Sequence, residues 1–90
     1  MTYKIFQLTD TSLLFMSYNE ETFNINNYKE VYSGEIETTG NTIHDLDKIY
    51  IKFNGIHPED FHGHSLSVSD LVELDGNLYY VERMGWKKVS

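Results

Sequence analysis

Three histidines, His57, His62 and His64, fall within one eight-residue stretch beside Glu59 and Asp60. Imidazole combined with carboxylate is the donor set that zinc and similar ions select. The spacing argues against a site. Gly63 between His62 and His64 marks a turn, and no periodic element fixes His57 relative to the other two. A solvated, turn-rich loop is expected here, with no metal and no cofactor. Nucleophilic chemistry fares no better. Ser65, Ser67 and Ser69 alternate with Leu66 and Val68 next to His64, but alternation is what a strand with one wet face produces. A nucleophilic serine needs a base and a third orienting group, and no Gly-x-Ser-x-Gly elbow is present. The neighbouring acids Glu59 and Asp60 could in principle share acid–base work, yet adjacent acids on a loop diverge and nothing here buries them. Gly63 and Gly76 are isolated, so no glycine-rich phosphate loop exists. No catalytic residue is expected, and the chain reads as a non-enzyme.

Binding is the chemistry left. Fourteen acids stand against seven bases, a net charge of −7. That balance argues against direct contact with nucleic acid, which needs a basic stripe to hold phosphates. It could favour a partner with a basic surface. The acids concentrate in two stretches: Glu30, Glu35 and Glu37 along and after a predicted second strand, and Asp45 with Asp47 at the start of a predicted helix. Only a turn through Gly40 separates them, so they are expected to share one edge of the domain. A second candidate surface is aromatic. Tyr79-Tyr80 in a strand puts one ring on each face, and Tyr79 with Trp86 could anchor a protein partner.

The elements that position these residues can be read from pattern. Tyr3 to Leu8 is a loosely alternating strand, and Thr11 or Ser12 could cap a short helix over Leu13 to Tyr18. Glu20 to Asn27 is a polar loop. Tyr28 to Ile36 is a second strand, with Gly34 a candidate bulge. The main helix covers about 42–53, capped by Asn41 or Thr42, with Ile43, Leu46, Ile49, Tyr50 and Phe53 on one face. Asn54-Gly55 stops it, and the segment around Pro58 is irregular with room for one helical turn. Leu71 to Leu74 and Leu78 to Val81 flank Asp75-Gly76-Asn77, a strong hairpin signal because both turn positions tolerate positive φ. Gly85 precedes a last strand, Trp86 to Val89. The expected fold is a single α+β domain over 1–90: a mostly antiparallel sheet of four to five strands with one main helix packed on it. Seven tyrosines, five phenylalanines and one tryptophan supply its core. The chain has no cysteine and no apolar run of membrane length, so the cytoplasm is the expected compartment and no membrane contact is expected.

The block Asn54 to Val72, with its Pro58-Glu59-Asp60-Phe61-His62-Gly63-His64-Ser65-Leu66-Ser67-Val68-Ser69-Asp70 core, resembles the YodL-like domain. So do Tyr79-Tyr80-Val81 followed by Gly85-Trp86, and the upstream Tyr28-Lys29-Glu30-Val31-Tyr32-Ser33-Gly34-Glu35. These stretches cover roughly two-thirds of the chain. The resemblance implies a domain common on conjugative elements, plasmids and phages, often beside anti-restriction modules, and it implies no catalytic residues. One position departs, because His64 stands where the family carries arginine. From the residues alone, Asp70 after Ser-x-Ser is placed to bond backbone N–H groups, while Phe61, Leu66 and Val68 fill the core. The expectation for function is a protein-binding accessory protein of a mobile genetic element, most sharply a counter-defence inhibitor of anti-restriction or anti-CRISPR type that binds a nuclease. The alternatives are a regulatory or nucleic-acid-associated factor in plasmid transfer or replication, and a structural adaptor domain.

Overall fold

The computed structural model describes residues 1–10, 16–55, 58–61 and 63–90. Five strands, β1 (Thr2–Leu8), β2 (Tyr28–Glu35), β3 (Leu71–Leu74), β4 (Asn77–Val81) and β5 (Trp86–Lys88), form one sheet in the order β2-β1-β3-β4-β5. Every neighbouring pair is antiparallel. Among the described residues one α-helix, α1 (Thr42–Asn54), lies on one face. The α+β architecture read from the sequence is the one observed.

Alternation decides which residues the helix covers. Tyr3 and Ile5 of β1, Val72 and Leu74 of β3, and Tyr79 and Val81 of β4 point to the helix side and join one buried cluster with Leu46, Ile49 and Phe53. Each such side chain contributes roughly 1.5–3 kcal/mol by leaving water. The predicted apolar face of α1 is narrower in the structure. Ile43 is 51 % and Tyr50 37 % exposed, because both lie on the flank of the stripe centred on Leu46, Ile49 and Phe53. Aromatic rings close the β2 side of this core: Phe53 meets Phe61 edge-on at 4.8 Å, and Tyr32 lies 5.3 Å from Phe53. Asn41 caps the helix by accepting from the His44 N–H at 3.1 Å, and Gly55 ends it.

Two features of β2 differ from expectation. The bulge falls at Val31, not Gly34: Ile5 pairs with Tyr32 and Phe6 with Glu30, leaving Val31 as the extra residue. Gly34 instead lies beneath the Tyr3 ring, where an added Cβ would sit 2.8 Å from the Tyr3 hydroxyl oxygen. The Asp75-Gly76 hairpin is as predicted, with φ of 53° and 81° at the two turn residues. The Ser65 to Ser69 alternation, by contrast, is not a strand. Its last part is a turn closed by the Asp70 N–H donating to Ser67 O at 3.0 Å, with Ser69 at φ 86°.

The second face of the sheet is covered in part by the segment after β1. Tyr18 and Phe23 stack on Tyr80, and Phe23 reaches Tyr28 at 5.8 Å. The Tyr80 hydroxyl donates to Met16 O and that of Tyr28 to Ser69 O, both at 2.6 Å. Met16 to Tyr18 are not helical, and Asn24 caps a short 3-10 turn, Ile25–Asn27, within the predicted loop. Residues 11–15, which carry the remainder of the predicted short helix and its caps, lie outside the described residues, as do His57 and His62. Among the described residues no helix is long and apolar enough to cross a membrane.

Candidate functional site

The most concentrated polar chemistry inside the molecule centres on Asp70. Its side chain is fully buried at the entry to β3, and Oδ2 accepts from the Ser67 N–H at 2.9 Å and from Gln7 Nε2 at 3.2 Å. Oδ1 has no hydrogen-bond partner and faces His64 Nε2 at 3.8 Å. Burial pushes the carboxyl up to about 6, against the Ser67 bond, the nearby His64 and the Gln7 bond, which favour the charged form. The ring of His64 is held from two sides, with Gln7 Nε2 also 3.2 Å from Nδ1. His64 Nδ1 lies 2.7 Å from Ser65 O, a distance that calls for an N–H there. Nε2 then faces Asp70 Oδ1. Gln7 spends its amide hydrogens on His64 O (2.8 Å) and Asp70. The cluster ties β1, the His64 segment and the entry to β3 together, which is a structural task. Sequence reasoning passed over Gln7. The signal was available, because Gln7 occupies the inward phase of the Tyr3-Ile5 alternation.

The acidic residues separate into different roles. Asp45 is 1 % exposed and works within the fold. It accepts from Thr38 Oγ1 at 2.6 Å and from the Thr39 N–H and Oγ1, each at 2.8 Å, and these bonds hold its carboxyl below the ordinary range. Asp47 lies on the far flank of the helix, where it accepts from Trp86 Nε1 of β5 at 3.0 Å. Asp45 therefore stays beside the segment that follows Glu37, whereas Asp47 turns to β5, on the opposite border of the sheet from β2. Glu30, Glu35 and Glu37 remain exposed at the β2 border. Glu30 and Glu35 are an odd number of positions apart, which would put them on opposite faces of a regular strand. The Val31 bulge restores the phase, so Glu30 sits opposite Phe6 and Glu35 opposite Thr2, on the face away from the helix. Lys4 approaches Glu30 at 3.7 Å. Glu35 accepts from Thr2 Oγ1 at 2.5 Å and lies 3.3 Å from the Met1 ammonium. The Thr2 bond, then the ammonium, lowers its pKa.

The aromatic pair divides likewise. Tyr79 is 8 % exposed and belongs to the core, so it offers no ring to a partner. Tyr80 is buried on the opposite face. Trp86 is half-buried, edge-on to Tyr50 at 6.3 Å, and Ile43 and Ile51 (69 % exposed) extend a small apolar area along the helix. Among the described residues no group of three His, Asp or Glu converges as a metal site.

Fold and surface together define a small α+β domain with Asp70 and Asp45 bonded inside it and Glu30, Glu35 and Glu37 exposed along the β2 border. The chain belongs to the YodL-like domain family, whose model matches residues 2–90. No curated protein and no solved structure matches it.

Proposed function

We propose that this chain is a non-enzymatic, protein-binding accessory protein of a bacterial mobile genetic element. In its sharpest form it is a counter-defence inhibitor that occupies the basic surface of a restriction or CRISPR nuclease. The observation that carries the reading is the β2 border: Glu30, Glu35 and Glu37 stay exposed there, with Lys29 and Lys4 the nearby bases. A partner whose own task is to grip phosphate presents lysine and arginine, and carboxylates on a rigid border meet them without the cost of ordering a loop. The rival, direct nucleic-acid binding, draws on Lys87 and Lys88 beside Trp86. Those two lysines alternate across β5 and so point to opposite faces, which divides the positive charge.

The test is affinity capture from a bacterial host with mass-spectrometric identification, followed by a cleavage assay of the captured protein. A basic nuclease inhibited by the parent, with inhibition lost in the folded double variant Glu35→Lys, Glu37→Lys and weakened steeply by salt, is the expected result. Inhibition untouched by that double variant would move the contact to Trp86, Tyr50 and Ile51.

A further inference from the structure

We infer that β2 is a strand-addition site: it takes an extended segment of a partner protein with lysine or arginine at alternate positions, laid antiparallel along its open side. This rests on the protein-binding reading above and specifies how the partner is held. β2 is a border strand of eight residues, and among the described residues only β1 pairs with it. Met1 and Ile36 exchange both backbone hydrogen bonds at 2.9 Å. In an antiparallel ladder such pairs recur at every second residue, so Gly34 and Tyr32 also turn their backbone groups to β1. The N–H and C=O of Ser33 and Glu35 consequently point away from the sheet, the geometry that an added strand completes.

Charge selects the occupant. Ser33 and Glu35 project on the face away from the helix, and Glu37, two residues beyond β2, is exposed. An added strand places every second side chain on the same face, so cations at alternate positions of the incoming segment stand beside these carboxylates. A second copy of this chain would bring the same acidic border and a further −7 of net charge. The Val31 bulge twists the first part of β2, which confines the docking stretch to Tyr32 onward.

The probe is a blocked eight-residue peptide of alternating lysine and valine, titrated into ¹⁵N-labelled protein at low salt, beside its alternating glutamate–valine counterpart. The lysine peptide is expected to shift and protect the Ser33 and Glu35 amides from solvent exchange, and the glutamate peptide to leave them unchanged. Ser33→Pro removes an outward N–H without touching the β1 ladder and should weaken binding at least tenfold. N-methylation of alternate peptide nitrogens, on the side facing β2, should do the same with the parent protein, which covers the case where Ser33→Pro does not fold. Glu35→Gln with Glu37→Gln should weaken it severalfold. The inference is overturned by no binding, by shifts centred on Ile43, Tyr50 and Ile51, by equal binding of both peptides, or by binding that tolerates the methylated backbone. A captured nuclease that the lysine peptide fails to displace would remove strand addition while leaving the proposed function standing. Binding of the lysine peptide at Ser33 and Glu35 with no nuclease captured or inhibited would remove the function and keep the site.

Discussion

Asp70 concentrates the electrostatic cost of this fold in one side chain. With Nδ1–H of His64 donated to Ser65 O, Asp70 Oδ1 and His64 Nε2 face each other as two acceptors, and protonating the buried carboxyl supplies the missing donor. The folded carboxyl titrates near 6, the unfolded one near the ordinary value of about 3.9. As pH rises between those values the unfolded chain releases the proton first, so stability falls from about pH 4 to about pH 6 and the loss is complete above that. The other titratable groups around the site are the Tyr28 and Tyr80 hydroxyls, both raised by burial and neutral throughout this range. Urea unfolding at a series of pH values should show the parent losing stability relative to Asp70→Asn across that window. Asp70→Ala should be worse than Asp70→Asn by about 1–3 kcal/mol at any pH, since it strands the Ser67 N–H and the Gln7 amide. Gly34 is the second demanding position. Gly34→Ala should cost about 1–3 kcal/mol by overpacking against the Tyr3 ring, and Tyr3→Phe should recover part of it by removing the nearest atom. A double-mutant cycle by denaturant titration measures that coupling, and additive costs would refute the contact.

At the scale of elements, local chemistry was enough for some pieces and blind to others. The Asp75-Gly76 turn and the Asn41 cap are decided by the residues themselves, so both were legible. Asn41→Ala should cost about 1 kcal/mol in thermal or urea unfolding, because the His44 N–H loses its partner. Ser65 to Ser69 misled because its period of two coincides with a turn that Asp70 draws back on itself through the Ser67 N–H, a local bond that periodicity does not report although the Ser-x-Ser-Asp pattern did. The bulge was assigned to Gly34 on residue type, whereas pairing with β1 puts it at Val31. The acidic candidates suffered most. Glu30 and Glu35 share a face only through that bulge, Asp45 is consumed by Thr38 and Thr39, and Asp47 faces β5. None of these facts is encoded within a few residues of the acid concerned.

For the whole molecule, the distribution of charge governs what approaches it. Mobility-shift assays with duplex and single-stranded DNA at low salt should show no retardation, since the net charge repels phosphate and the lysines of β5 are split between faces. Retardation that fades steeply with salt would indicate a basic patch centred on Lys87 and Lys88.

The strand order carries a consequence for the chain as it is made. β1 is made before the other four strands yet lies inside the sheet between β2 and the central β3, with Tyr3 set against Leu74 of β3. At translation speeds of about 5–20 residues per second, its central partner follows only after several seconds. During that interval β1 can recruit β2 alone, leaving its other side, with Ile5 and Phe6, open to any passing strand. Nascent protein is therefore at its most adhesive before β3 emerges. Slow codons between α1 and β3 would lengthen that window, and a chaperone that shelters the first two strands would raise the soluble yield.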